Sequence, residues 1–268
     1  MSQQADPAIR VQGVSKSYRL VRDRPTSVKE AVVRRSRRQT VEDFWALRDI
    51  DLEVPRGSFF GLIGHNGSGK STLLKLLAGI HRQTSGDITV NGRLSALLEL
   101  GAGFHPELTG RENIYLNGAI LGMSRRQMSA AVDEIVEFSG IGDFVDAPVR
   151  IYSSGMYVRL GFAIAVHVNP EVLLVDEVIA VGDEDFQRKC LDHMEVLRSQ
   201  GVTIVLVSHD LDQVRELCDQ VAWIDRSHLV EVGEPNEVCD RYIASVNVER
   251  QEELGNAFGS DFSCWCFP

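Results

Sequence analysis

Gly64-His65-Asn66-Gly67-Ser68-Gly69-Lys70-Ser71-Thr72 decides the fold. It lies between the apolar run Phe59-Phe60-Gly61-Leu62-Ile63 and the helix formers Leu73-Leu74-Lys75-Leu76-Leu77-Ala78. The loop fits G-x-x-x-x-G-K-[S/T]. Its glycines let backbone N–H groups close on phosphate oxygens, and the helix that follows turns its positive end toward them. In such a loop Lys70 reaches the β and γ phosphates of a nucleotide, Ser71 ligates Mg²⁺ and Thr72 touches the α phosphate. Strand, loop and helix in this order predict an α/β protein built on a mostly parallel sheet.

Further along the chain, Val172-Leu173-Leu174-Val175-Asp176-Glu177 reads as a buried strand ending in two carboxylates. A metal and an attacking water need carboxylates at such a place: Asp176 is the candidate metal partner, and Glu177 the group that polarises the water. Residues 202–207 form another buried strand, which ends in Ser208-His209-Asp210. A histidine there can hydrogen-bond a γ phosphate and sense its loss. Taken singly, the acidic strand end could serve only solvation and His209 could be an ordinary loop histidine. Their order behind the phosphate loop favours the catalytic reading. Between loop and carboxylates, residues 112–138 are predominantly helical in pattern, which predicts a helical subdomain inserted in the sheet.

Tyr152-Ser153-Ser154-Gly155-Met156 opens a further helix, with Ser153 standing 23 residues before Asp176. These residues resemble the signature motif of ATP-binding cassette proteins, usually written Leu-Ser-Gly-Gly-Gln. Tyr152, Ser154 and Met156 depart from it, while Ser153 and Gly155 keep it. The resemblance implies ATP and Mg²⁺ as cofactors and a homodimer in which two nucleotides are sandwiched head to tail. Ser153 and Gly155 then act on the partner's nucleotide, while Lys70, Ser71, Asp176, Glu177 and His209 act in their own subunit. Ala180-Val181-Gly182-Asp183 takes the place of the loop that crosses the dimer interface, with Asp183 as its acid; a solvated loop carboxylate is the alternative. Val14-Ser15-Lys16-Ser17-Tyr18 is similar to the adenine-stacking segment, making Tyr18 the candidate ring. A core tyrosine is the other reading of Tyr18, and Trp45 is a second aromatic candidate. Where the family carries a glutamine after its third strand, this chain offers Glu99 as the metal-competent side chain.

Residues 97–113, 152–160 and 176–190 together resemble the ATPase subunits of bacterial polysaccharide exporters of the O-antigen, teichoic acid and capsule type. The likeness runs from about residue 9 to residue 245. By that resemblance the transported molecule is a glycan on a polyprenyl-diphosphate lipid. The channel would be a separate polytopic membrane permease, and the ATPase would sit peripherally on the cytoplasmic face of the membrane. The implied organisation is an N-terminal tail (1–8), a cassette (9–245) and a C-terminal tail (246–268) expected to be mobile. The cassette so implied has a mostly parallel core sheet, an antiparallel β subdomain, a basic insertion at 19–44 and an inserted helical subdomain at 105–165 that carries the signature motif. An extra β-sandwich that binds the glycan's end, present in some relatives, is not expected in the tail. Three rivals remain: export of a drug or lipid, a soluble cassette acting in translation or DNA repair, and a kinase using the same loop. The last two lack, respectively, a fused second cassette or coiled-coil insertion, and a lid for an acceptor.

Bulk properties agree. The chain has 268 residues with 44% hydrophobic and 25% charged, an ordinary globular composition, and no apolar run of membrane-spanning length. Five cysteines without paired spacing argue for reduced thiols and against a disulfide framework or a structural zinc site. A net charge of −10 argues against nucleic acid as a partner. Residues 19–38 oppose that charge, with Arg19, Arg22, Arg24, Lys29, Arg34, Arg35, Arg37 and Arg38 against Asp23 and Glu30. Two readings stand for them: a solvated insertion, or contact with anionic headgroups or a channel's cytoplasmic face. Ser27-Val28-Lys29-Glu30 has capping-box spacing for a short helix inside this segment.

Overall fold

The computed structural model describes residues 6–21, 41–98, 101, 103–176 and 183–259. Its strands are β1 (Ile9–Val21), β2 (Val41–Val54), β3 (Phe59–Ile63), β4 (Ser85–Val90), β5 (Leu94–Leu97), β6 (Val172–Val175), β7 (Thr203–Val207), β8 (Gln220–Asp225) and β9 (His228–Gly233). Six of them form one sheet in the order β5-β6-β7-β3-β8-β9. All its neighbours run parallel except β8 and β9. The other three make an antiparallel sheet in the order β2-β1-β4.

The central strands β3, β6 and β7 are buried along their whole length. That is why they read as unbroken apolar runs: a parallel strand covered on both faces has no solvent side to mark with polar residues. The pleat still sorts their side chains into two cores. Phe59, Ile63, Leu173, Val175, Ile204 and Leu206 point into one, shared with the helical subdomain. Phe60, Leu62, Val172, Leu174, Val205 and Val207 point into the other, which they share with Ile9, Val11, Leu73, Leu74 and Leu77. Each of these buried aliphatic or aromatic side chains contributes about 1.5–3 kcal/mol. The second core presses α1 (Lys70–Leu77), the helix after the phosphate loop, between the two sheets.

The helical subdomain holds α2 (Gly110–Ile120), α3 (Arg125–Ser139) and α4 (Ser154–His167). Its first two helices start on capping boxes, Thr109 with Glu112 and Ser124 with Gln127, so their N-termini are set by local sequence. After β6 come α5 (Glu184–Ser199), α6 (Leu211–Leu217) and α7 (Pro235–Gly259). The α/β class, the mostly parallel core sheet, the antiparallel β layer and the inserted helices are thus as the sequence predicts.

The structure differs at two places. The hairpin of β1 and β2 extends into the segment read as a basic insertion, pairing Arg19 with Asp43 and Val21 with Val41. Arg19 Nε lies 3.9 Å from Asp43 Oδ1, an opposite-charge pair across the strands. The second difference is at the C-terminus, where α7 runs past residue 245 and continues to Gly259, so that residues 246–259 of the expected tail are helical. The run Glu249-Arg250-Gln251-Glu252-Glu253-Leu254 within that stretch consists of helix formers. The remaining basic residues, 22–38, and the capping box at 27–30 lie outside the described residues, as does the chain after 259.

No described helix is long and apolar enough to cross a membrane. Cys190, Cys218 and Cys239 are buried free thiols, and burial pushes Cys190 and Cys218 up to about 12, which leaves them protonated and unreactive.

Candidate functional site

The phosphate loop leaves β3 and enters α1. Gly64 takes a φ of +144°, and a Cβ on it would lie 2.0 Å from the Ile224 carbonyl oxygen of β8. Only glycine lets the loop leave the sheet this close to a neighbouring strand. Ser227 N donates to Ser68 O at 3.2 Å, and Leu73 N to Gly69 O at 2.8 Å, pinning the loop from both sides. Lys70 is 6% exposed, and its Nζ donates to Gly64 O at 2.7 Å and His65 O at 2.9 Å. A buried ammonium held against the loop stands where a phosphate can accept a charge-assisted hydrogen bond from it. Ser68 Oγ is buried without a hydrogen-bond partner among the described residues, but it lies against Gly64 and lines neither cavity at the loop. The first turn of α1 has N–H groups without intrahelical acceptors, as every helix start does. Lys70 and these N–H groups fit a bound polyphosphate.

A cavity of about 270 Å³ opens on this loop, lined by Asn66, Gly67, Gly69, Lys70, Ser71 and Thr72 on one side and Tyr18, Phe44 and Ala46 on the other. Tyr18 is therefore at the cavity wall, half-buried, and not in the core. Its ring is braced by Lys16 Nζ, 4.8 Å from the centroid, and by His81 in an edge contact at 6.1 Å. Trp45 is not among the lining residues; its ring faces Arg48. Phe44 is the aromatic that sequence reasoning missed. It is 51% exposed and pairs with Tyr18 across β1 and β2, so the two rings share the cavity's outer wall. Phe44 falls in the segment read as a basic insertion (19–44), and its place on β2 across from Tyr18 reveals the role.

On the other flank of the loop a second cavity, about 220 Å³, is lined by Ile63, Gly64, His65, Asn66, Ser208, His209, Leu211 and Tyr242. The structure thus brings His209, two residues after β7, to the same cavity as the loop. The next residue, Asp210, caps α6 by accepting from Asp212 N at 3.0 Å and Gln213 N at 3.2 Å, which fixes the turn that presents His209. Asp176 follows β6, and the sheet order sets β7 between it and the loop strand β3. Glu177 and Glu99 lie outside the described residues, and so do residues 178–182.

Ser153 caps α4, its Oγ accepting from Met156 N at 3.2 Å. Ser153 and Ser154 are exposed, and neither Ser153 nor Gly155 lines either cavity at the loop. Asp183 caps α5 through its Oδ1, which accepts from Phe186 N at 3.0 Å, and pairs through Oδ2 with Arg159 Nη2 of α4 at 2.5 Å. The Phe186 N–H and the Arg159 guanidinium hold this carboxyl below the usual carboxylate range. Arg159 also lies over the Phe186 ring, 5.2 Å from its centroid. One arginine therefore ties the helix that starts at Ser153 to the helix that starts after Asp183, a link the motif spacing alone does not reveal.

The family model described as ABC transporter matches residues 47–180, from the second strand of the hairpin past the carboxylate pair. The O-antigen export system ATP-binding protein RfbB of Klebsiella pneumoniae is 42% identical over 240 residues, covering 88% of this chain and 98% of that protein.

The chain belongs to the ABC transporter family.

Two further members are longer than this cassette. The O-antigen export system ATP-binding protein RfbB of Myxococcus xanthus is 51% identical over 247 residues, 90% of this chain and 56% of that protein. The teichoic acids export ATP-binding protein TagH of Lactiplantibacillus plantarum is 48% identical over 202 residues, 75% of this chain and 55% of that protein. The cassette spans little more than half the length of these two. A solved ATP-binding subunit of an ABC transporter superposes with a TM-score of 0.73 at 20% identity over 90% of this chain and 98% of the other, a likeness of fold. The cassette is accordingly an ATP-binding domain, with the phosphate loop, Tyr18 and Phe44 around its first cavity.

Proposed function

We propose that the cassette is the ATP-hydrolysing subunit of an exporter that moves a polyprenyl-diphosphate-linked polysaccharide, of the O-antigen or cell-wall type, across the cytoplasmic membrane. One observation carries the dimeric part of this reading: the α4 N-terminus at Ser153 is exposed and lines neither cavity at its own loop. A helix N-terminus of this kind suits the γ phosphate of a nucleotide held by a second copy. The glycan part is supported by likeness to relatives named for O-antigen and teichoic acid export.

In the proposed cycle Lys70 leaves the Gly64 and His65 carbonyls for the β and γ phosphates, and His209 approaches the γ phosphate from the second cavity. Glu177 orients the attacking water. Ser153 and Gly155 act on the partner's nucleotide, with Asp183 at the interface, and Tyr18 stacks on the base, joined by Phe44. Mg²⁺ fits the donor set: the Ser71 hydroxyl and the Asp176 carboxylate are hard oxygen donors, and this ion binds through one or two carboxylates plus substrate phosphates and not in an all-protein cage. It would neutralise charge developing on the transferred phosphoryl group. Glu99 remains the proposed further contact. The partners are a polytopic permease and a second copy of the cassette, on the membrane's cytoplasmic face, and the glycan travels through the permease.

Depletion tests the substrate. Cells losing this protein should accumulate a lipid-linked glycan on the cytoplasmic side of the membrane, and the tagged protein should co-purify with a polytopic membrane partner. Normal glycan export, with loss of drug or lipid efflux instead, would reassign the cargo.

A further inference from the structure

The second cavity contains a residue from outside the cassette's motifs. Tyr242 lies on α7, 179 residues beyond the strand that feeds the loop at Ile63, and the fold returns it to the phosphate loop. Its ring meets the His65 ring edge-on, with centroids 5.4 Å apart and planes at 63°. Trp223 of β8 backs it in the same manner, at 5.7 Å and 67°. One turn earlier on the same helix face, Val238 and Cys239 are fully buried, and flanking ion pairs hold the helix down: Arg215 to Asp240 at 2.6 Å and Arg241 to Glu231 at 2.7 Å. Tyr242 is therefore presented from a fixed base.

His65 is, with Gly64, one of two loop residues whose backbone carbonyls accept from Lys70. Its carbonyl oxygen accepts from Lys70 Nζ at 2.9 Å and from Ser68 N at 3.1 Å. The two glycines around it, Gly64 and Gly67, both have positive φ and offer no side chain to brace the peptide between them. A ring held from outside the loop supplies that brace. We infer that Tyr242 is a positioning residue for the phosphate loop: by clamping the His65 side chain it fixes the peptide on which Lys70 rests and from which Lys70 departs to bind phosphate. The C-terminal helix thereby becomes a structural part of the nucleotide site.

The inference rests on nucleotide binding at the loop, so the experiment includes that control. In the full-length chain, binding of Mg²⁺–adenylyl-imidodiphosphate is measured by calorimetry for the wild type, Lys70→Ala, Tyr242→Ala, Tyr242→Phe, His65→Ala and the His65→Ala/Tyr242→Ala double variant. Tyr242→Ala should weaken binding about two- to tenfold, the worth of one edge-to-face aromatic pair. Tyr242→Phe should stay within about twofold of wild type, because the ring contact persists. The double variant should bind no more weakly than His65→Ala, and under turnover Tyr242→Ala should raise KM for ATP more than it lowers kcat. If Tyr242→Ala does not fold, Tyr242→Leu keeps apolar bulk against Trp223 and completes the same cycle. Additive losses in the double variant, or a Tyr242→Phe defect equal to that of alanine, overturn the assignment. Wild-type binding no tighter than Lys70→Ala would instead overturn the nucleotide reading itself, and the inference with it.

Discussion

Two glycines of the phosphate loop make a matched pair of perturbations, because one is constrained by its neighbours and the other by its ligand. A Cβ on Gly64 would lie 2.0 Å from the Ile224 carbonyl oxygen and 2.9 Å from Ser68 Oγ. Ile224 sits in β8, hydrogen-bonded to β3 on one side and β9 on the other, so it cannot withdraw cheaply. A Cβ on Gly67 meets nothing within 4 Å, and its only intrinsic cost is a side chain at φ +82°. That cost is about 1–2 kcal/mol. For a chain of this size each kcal/mol lowers the melting temperature by about 2–4 °C. Gly67→Ala should thus melt about 2–8 °C below wild type. Gly64→Ala adds an overlap costing about 1–3 kcal/mol or more, and should melt about 4–20 °C below wild type, always lower than Gly67→Ala. Nucleotide affinity should respond differently. The open space at Gly67 belongs to the cavity where phosphate oxygens approach the backbone, so its methyl group should weaken ATP binding by more than about tenfold, despite the smaller loss of stability. Scanning calorimetry without nucleotide and titration calorimetry with ATP separate the two effects. A Gly64→Ala protein that melts within 2 °C of wild type, or a Gly67→Ala protein that binds ATP normally, would refute the geometry (~2 °C being the shift of about half to one kcal/mol).

Other consequences follow from single contacts. Phe44→Ala should weaken ATP binding through loss of its exposed face toward the base, by about 1–3 kcal/mol, and should leave the melting temperature nearly unchanged; equal ATP affinity would remove Phe44 from the site. Asp183→Ala should destabilise by about 1 kcal/mol through loss of the α5 cap, whereas Asp183→Ser, which keeps a cap and loses the Arg159 pair, should cost less in thermal melts. Acid should also loosen the helical core. His167 and His193 stack at 5.0 Å beside Phe138, and burial holds both imidazoles below their usual range, with His167 and Lys189 adding to the effect at His193. The unfolded chain therefore takes up protons first, so the stability they contribute is present above about pH 6.5 and is lost as pH falls through the depressed folded-state values. Melting temperature should fall between about pH 7 and pH 5, and His193→Phe should flatten that slope; an unchanged slope would place the titration elsewhere.

Legibility from sequence followed the range of the interaction that decides each element. The strands Phe59–Ile63, Val172–Val175 and Thr203–Val207 were readable to within a residue because burial on both faces leaves a local apolar run with polar ends. The phosphate loop and the motif around Ser153 were readable because their residues are consecutive, although the helix starts at Ser154 with Ser153 as its cap, which the motif does not reveal. Arg19 read as the start of a charged insertion because its neutralising partner, Asp43, is on the opposite strand of a long hairpin. Phe44 was missed for the same reason, since its role comes from lying across from Tyr18. Arg159 and Tyr242 depend on contacts between helices that no spacing rule connects: one reaches Asp183 from the signature helix, the other reaches His65 from the last helix.

The central claim is that one copy of this chain holds half of each nucleotide site and a second copy completes it. Glu177→Gln addresses it directly, because the amide keeps the shape of the side chain and removes the charge proposed to polarise water. Light scattering of the purified variant with and without saturating Mg²⁺–ATP, alongside a phosphate-release assay, gives the answer. The account expects hydrolysis to be abolished and the particle mass to double on adding ATP. Turnover at the wild-type rate, or a mass that stays monomeric at saturating ATP, would contradict it.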